Sequence, residues 1–451
     1  MPNLEANTKR EYQPAAQAGE TQAIAAGETS LAFDLYPAYR QDSTGNFAFS
    51  VLDVSQSLAM LAAGASGGTL SALLETSRAG LLEDRLHPAW DSFLLDLTNR
   101  HQAARLVASA AHWGQGTSQD HAGAHYLFES LFLDTLARNY GAELAAVDFT
   151  ATPGNNQILS DAIHPWLAAH TQGRITYLAS ALGQNTRLVS ASAWSLDGAW
   201  KTPPDASPAP EGRFELLDGT HVLTPMLGFS GEFAYAEGDG YRAFELPMAA
   251  SDLALWVLMP EHDRFAKFRL AFSPDQMNGI LAAMTPARKT LYLPKLAISS
   301  GLPDGAFATL NGGGAFTEGQ ADFSRINGEG YLYLDSLRHQ TVVSLDEGAV
   351  KAAGATLTVH LGSKDEPDSV WSSHGSVVTT TPNFCDPVPH YDPSLALARP
   401  FLFAIRDQIT GAILLMGQST HPGGSPAAPD WTTDPCGFQI APLGASPGLG
   451  G

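Results

Sequence analysis

From Ser30 the apolar residues of SLAFDLYPAYR recur at three- and four-residue intervals, which predicts a helix with one buried face. NFAFSVLDVSQSLAMLAAGASGGT begins as a short apolar strand, turns, and continues as a buried helix with Val54, Leu58, Leu61 and Ala62 on one side. AIHPWLAAHTQGRI predicts a further helix, bent or begun by Pro165 and ended by Gly173. After Thr186 the period shortens to two. TRLVSASAW, THVLTPMLG, RAFELPM, LALWVLMP and KTLYLPKLAIS alternate or run apolar between turn residues, and RPFLFAIRDQITGAILLMGQST predicts two strands around DQITG. Helices first and strands later imply an α+β domain. The alanine-rich, polar residues 1–28 are expected to form a flexible leader, residues 29–421 the domain, and residues 422–451 a Gly/Pro/Ala-rich tail.

One stretch breaks this pattern. VVSLDEGAVKAAGATLTVHL, Val342 to Leu361, starts as a buried strand, passes two acids, runs small, and then turns β-branched again. Its Val350, Ala352, Gly354 and Thr356 share one face at strand spacing, so it has the composition of a loop that can pair in a sheet. The Pro-, Ser- and Asp-rich run that follows, to about Ser394, is too long for a plain connection and predicts an extended surface loop.

Composition narrows the function. A chain of 451 residues that is 44% hydrophobic can bury a large core, and a formal net charge of -21 with no basic patch excludes a phosphate backbone as partner. No apolar run is long enough to span a membrane. The opening MPNLEANTKREYQ lacks the apolar centre of a signal peptide. An extracellular or periplasmic setting with the leader absent from this sequence is expected, with the cytoplasm as the alternative. Two thiols, Cys385 and Cys436, either stay free or pair if the protein is exported. His121 and His125 in HAGAH have helical metal-ligand spacing, but glycine stands between them and no acid is near, so surface histidines are expected, with no metal and no cofactor. GASGG fits the nucleophile-elbow pattern around Ser66, yet a helix precedes it where a strand is required.

Several ordered blocks together resemble the serpin family. They are NFAFSVLDVSQSLAMLAAGA, HTQGRI, TRLVSASAWSLDGAWK, FELLDGTHVLTPML, LYLPKLAIS, AFTEGQADFSRINGEGYLYLDSLRHQTVVSLDEG and RPFLFAIRDQITGAILLMG, spanning about Leu31 to His421. The resemblance, to a prokaryotic member by expectation, implies a metastable serpin fold with three β-sheets, eight to nine helices and an exposed reactive-centre loop over about 347–394. It also implies a suicide-substrate inhibitor of a serine protease, or of a cysteine protease: the loop is cut, the protease is held as an acyl-enzyme, and the loop enters the main sheet as a new strand. The partner is then a protease in covalent complex with a monomer, and loop-sheet polymers are the expected side product.

The same resemblance assigns residues. Glu347, Gly348, Ala349, Val350, Ala352, Ala353, Gly354, Ala355 and Thr356 form the loop hinge, with Lys295 and Trp200 where the loop enters the sheet. Ala349 and Val350 depart from the family's usual glycine and threonine or serine, and a register shifted by one to rescue the glycine would turn Lys351 inward at the expense of burying its charge. Ser50, Asp53, Ser192 and His339 correspond to the cluster at which the sheet opens. Asp53 stands where serine is usual and is expected either to bond His339, making opening sensitive to pH, or to cap its helix with Gln56. Counting about sixteen residues past Glu347, roughly 50 Å of strand, puts the scissile bond at Ser363–Lys364, with cleavage after Lys364 or Leu361 as alternatives. The main rival reading is a serpin that does not inhibit and acts by binding; a hydrolase using Ser66 is the remote one.

Overall fold

The structure, a computed structural model, describes residues 4–116, 127–149, 158–205 without 179 and 181, 211–303 without 262, 306, 312–328, 330–362 and 397–423. In chain order the elements are α1 (Glu20–Asp42), β1 (Phe47–Ser50), α2 (Val51–Gly64), α3 (Gly67–Thr76), α4 (Glu83–Arg100), β2 (Val107–Gln115), α5 (Ser130–Tyr140), β3 (Glu143–Val147), α6 (His164–His170), β4 (Thr186–Ala199), β5 (Glu211–Glu215) and β6 (His221–Gly238). They continue as β7 (Tyr241–Pro247), β8 (Leu253–Pro260), α7 (Phe265–Ala271), α8 (Pro274–Ala283), β9 (Thr285–Pro294), β10 (Leu296–Gly301), α9 (Ser324–Asn327), β11 (Leu332–Leu345), β12 (Ala349–Gly362), β13 (Phe401–Asp407) and β14 (Ile413–Ser419). Helices predominate before Thr186 and strands after it, as expected, but β2 and β3 lie ahead of that point and α7, α8 and α9 behind it.

A six-stranded sheet runs β10-β11-β12-β4-β2-β3, antiparallel except for the β2–β3 pair. The second sheet has eight strands, ordered β1-β14-β13-β8-β7-β6-β5 with β9 on β6. Three sheets were implied. Two of them are joined here because β6 is long: its first residues pair with β5, its middle with β9 and its last five with β7. The main core fills the space between the sheets and helices α1, α2 and α4. A smaller one, with Trp113, Ile163, Trp166 and Leu167, lies where α6 covers the outer face of the six-stranded sheet. Pro165 sits in the first turn of α6, where its missing N–H matters least, and Gly173 follows at φ 74°.

The leader expected over residues 1–28 is packed from residue 4. Leu4 is buried, Asn7 N–H donates to Asp134 Oδ1 at 2.6 Å, Glu11 N–H to Arg138 O at 2.9 Å, and Arg10 Nη2 lies 2.6 Å from the fully buried Asp91. Helix α1 starts at Glu20, ahead of the expected Ser30. Glu20 accepts from Gln17 N–H and from Arg85, while Ile24, Ala25, Leu31 and Leu35 extend a single buried stripe. The polar, alanine-rich composition hides this because the partners lie on α4 and α5, far away in sequence.

Burial pushes the Asp91 carboxyl up to about 7, and the Arg10 guanidinium pulls it back down. A folded value above the unfolded one means that stability falls as pH rises through the interval between them. Arg10→Met extends that loss upward, so the variant is expected to unfold about 1–3 kcal/mol more easily than wild type at pH 8 and by much less at pH 5. Urea midpoints at the two pH values check this; an equal deficit at both would show that Arg10 acts through packing alone.

Candidate functional site: the inserted strand and its floor

Residues 346–348 join β11 to β12 in a tight turn. Asp346 Oδ1 accepts from Gly348 N–H at 2.8 Å and from Ala349 N–H at 3.0 Å, which holds the chain in an Asx-type reversal. Its other carboxylate oxygen lies 2.6 Å from Lys351 Nζ. Beside the turn, Lys295 Nζ meets Glu347 at 2.5 Å and holds the Glu347 carboxyl below its ordinary range. Trp200 stacks edge-on against Phe229 and donates its indole N–H to Asp346 O at 2.8 Å. The three residues expected where the loop enters the sheet thus meet at one turn. Asp346 was passed over, although the run Asp-Glu-Gly is itself a turn signal.

Beyond the turn the chain is not an exposed loop as far as Gly362. The fourteen residues Ala349–Gly362 form the central strand β12, antiparallel to β11 on one side and β4 on the other. This corrects the expectation of exposure from Glu347. The correction has a physical reason: both edges of the strand are saturated with backbone partners, each worth roughly 0.5–1.5 kcal/mol net, so the whole insertion is worth on the order of 10 kcal/mol. Ala353, Ala355, Leu357 and Val359 pack under α6, while Val350 and Ala352 join the main core. The expected face of Val350, Ala352, Gly354 and Thr356 is the inward one. Lys351 falls on the other face, half-exposed and paired, which supports the unshifted register.

The floor of this slot is the expected cluster. Helix α2 follows β1 with no intervening turn, so its first residue is Val51 and Asp53 lies within its first turn. The capping alternative therefore fails: Ser50 holds the N-cap position, Gln56 does not reach back, and the Asp53 carboxylate points at the sheet. Asp53 Oδ2 accepts from Thr356 Oγ1 at 2.7 Å and lies 3.1 Å from His339 Nδ1. His339 Nε2 faces the Ser50 N–H at 3.3 Å, which makes it the acceptor and leaves the ring proton on Nδ1 toward Asp53. Thr341 Oγ1 is 2.8 Å from the same Nε2. Ser192 Oγ donates to Asp53 O at 2.8 Å and sits 2.7 Å from Ser57 Oγ, and the Trp194 indole N–H bonds Ser50 Oγ. Thr341, Ser57 and Trp194 were not anticipated; Trp194 shares the face of Ser192 two residues on, which strand parity alone could have indicated.

Thr356 belongs to β12, so the cluster draws one of its members from the central strand. Gly354 allows it. A Cβ at that position would stand 2.5 Å from Trp194 Nε1, 2.6 Å from Asp53 Oδ1 and 2.6 Å from Ser50 Cβ, and none of these is the free end of a flexible chain.

At the far end, half-buried Leu361 pairs with Tyr333 and Thr186, and Gly362 N–H donates to Asn185 O at 2.9 Å. Ser363, Lys364, Cys385 and Cys436 lie outside the described residues, as do His121 and His125. Ser66 stands between α2 and α3 with its N–H bonded to Asp322 O at 2.8 Å, so a helix leads into it and the elbow pattern is a helix-ending turn. Among the described residues no group of three or more metal-ligating side chains occurs, and no helix is long and apolar enough to cross a membrane.

A model of the family described as serpin (serine protease inhibitor) matches residues 26–422. This chain belongs to the serpin family. It is 28% identical to an uncharacterized serpin-like protein of Thermococcus kodakarensis, covering 90% of this chain and 87% of that protein. It is 24% identical to the leukocyte elastase inhibitor of Homo sapiens, over 88% and 99% of the two chains. Among solved structures, a cleaved Serpin 42Da superposes with a TM-score of 0.73 at 19% identity, over 89% of this chain and 99% of its own. Tengpin, a thermophilic serpin in the latent state, superposes with a TM-score of 0.70 at 18% identity, over 92% and 99%. Members of the family are generally protease inhibitors rather than enzymes, and the serpin fold is shared throughout.

Gly354→Ala in this serpin is expected to weaken the inserted strand by about 1–3 kcal/mol through overpacking against the floor. Cutting the wild-type loop and comparing guanidinium midpoints checks this: the variant should show a smaller gain than wild type, and an equal gain would show that the floor yields.

Proposed function

We propose that this serpin inhibits a serine protease as a suicide substrate, with bait beyond the strand that β12 becomes. The observation that supports this most is the fit of residues 349–362 to the six-stranded sheet: small side chains where passage is tight, Gly354 over the floor, and Thr356 supplying a hydrogen bond to Asp53. At about 3.3 Å per residue a strand of this length displaces its far end by roughly 45 Å. An acyl-linked protease at Ser363 is carried across the molecule and its active site pulled out of shape before water releases it. The specificity then follows from which bond is cut: Ser363–Lys364 as first choice, after Lys364 for a trypsin-like enzyme, after Leu361 for a chymotrypsin-like one.

A second reading rests on chain length. Thirty-four residues, 363–396, separate the end of β12 from the next described segment. At full extension they reach about 110 Å, enough to return to β13 with the strand seated and the chain uncut. A chain that inserts without cleavage presents no bait and acts by binding a partner.

Trypsin-, chymotrypsin-, elastase- and subtilisin-like proteases mixed with the protein distinguish the two. A covalent complex stable on denaturing gels, with the cut near Ser363 by mass spectrometry, is expected for inhibition. Cleavage with no complex and no rise in melting temperature is the outcome of a chain whose strand is already seated.

A further inference from the structure

Strand parity carries the inward face beyond Thr356 to Thr358 and His360. His360 is 1% exposed, and among the described residues neither ring nitrogen makes a well-formed hydrogen bond, the Leu188 main chain giving only a weak contact. It borders a small cavity that Ser57, Ser190 and Thr358 also line, with the Phe323 ring edge-on at 5.0 Å and Leu188 opposite it on β4. The titratable group that faces it is His112 on β2, itself 1% exposed, with Nδ1 2.8 Å from Ser190 Oγ and Nε2 unpartnered. Among the described residues no carboxylate lines the cavity. The inserted strand therefore buries an imidazole in a place that offers a proton no counter-charge, beside a second imidazole that would repel it.

We propose that His360 makes completion of the inserted strand depend on pH: the end of β12 from Thr356 to Gly362 seats when His360 is neutral and is expelled from the sheet when it is protonated. The proposal rests on the reading that this segment is exposed before it inserts. In water the ring takes up its proton near pH 6.5, as histidine ordinarily does. In the sheet, burial pushes His360 down to about 3, against a smaller opposing pull from the Leu188 main chain, and burial with the nearness of His360 pushes His112 to about 3 as well. The sign follows by linkage. Above pH 6.5 insertion is unaffected; from there down toward pH 3 each pH unit favours the expelled state about tenfold. A serpin of this kind inserts fully near neutrality and loosens the last residues before the bait in acid.

The test uses the full-length protein, cut in its loop by subtilisin at pH 7.5, as wild type, His360→Leu and His360→Gln. Hydrogen exchange followed by mass spectrometry, corrected for intrinsic rates, reports the opening of residues 356–362 from pH 8 to 4.5. Wild type is expected to lose protection about tenfold per pH unit below 6.5, about a hundredfold by pH 4.5, while both variants stay flat. The floor residues His339 and Asp53 are unchanged in all three proteins, so what they contribute cancels in the comparison. The same slope in all three, or a flat wild type, overturns the proposal and leaves insertion intact. A wild type whose strand is unprotected at pH 7.5 after cutting overturns insertion itself and the proposal with it. Both variants change a residue of the inserted strand that lies outside the floor cluster, so a folding defect is recognisable as lost protection throughout β11 and β4.

Discussion

The organisation of this serpin depends on one slot, the gap between β11 and β4 that β12 occupies. Two strands that end a hydrogen-bonding ladder on each side of a gap leave their N–H and C=O groups to water or to each other; a third strand satisfies both at once. The ladder contributes much of the strand's stability, and because every residue makes the same kind of bond, it carries little information about which segment lies there. Selection comes from the floor. Trp194, Ser50 and Asp53 press so closely on the slot that residue 354 has no room for a side chain, and Thr356 adds a donor to the Asp53 carboxylate beside His339.

Asp53 shows how one residue couples the helices to the sheet. It is held in the first turn of α2, which continues straight from β1, and β1 in turn pairs with β14 at the edge of the other sheet. Its carboxyl group is buried, which is tolerable only with hydrogen-bond partners around it. His339 on β11 and Thr356 on β12 provide them, and they pair directly across the two strands. These two contacts fix the register of β12 over the polar floor.

The two ends of β12 are built differently. At the turn, charges are half-exposed and matched, as Lys295 with Glu347 and Lys351 with Asp346, so forming or breaking them changes little in energy. At the far end the inward residues are Thr358 and His360, polar groups whose side chains make no well-formed hydrogen bond among the described residues. The strand is therefore easy to start, strongly held in the middle and weakest where the bait would follow.

Much of this was legible in the chain. The period of two after Thr186, the alternation of Val350, Ala352, Gly354 and Thr356, and the small residues between them are local properties, and a strand that is buried on both faces must carry them wherever it sits. The grouping of Ser50, Asp53, Ser192 and His339, and of Lys295 with Glu347, came from family resemblance rather than from the pattern itself. Tertiary structure decided the rest, because the deciding contacts join residues far apart: of the two roles expected for Asp53, the contact with His339 across 286 residues is the one formed, and the polar segment from Leu4 is ordered by α4 and α5. Whether residues 349–362 stand in water or in the sheet is decided in the same way, since either state satisfies the local pattern and only the vacancy between β11 and β4 distinguishes them.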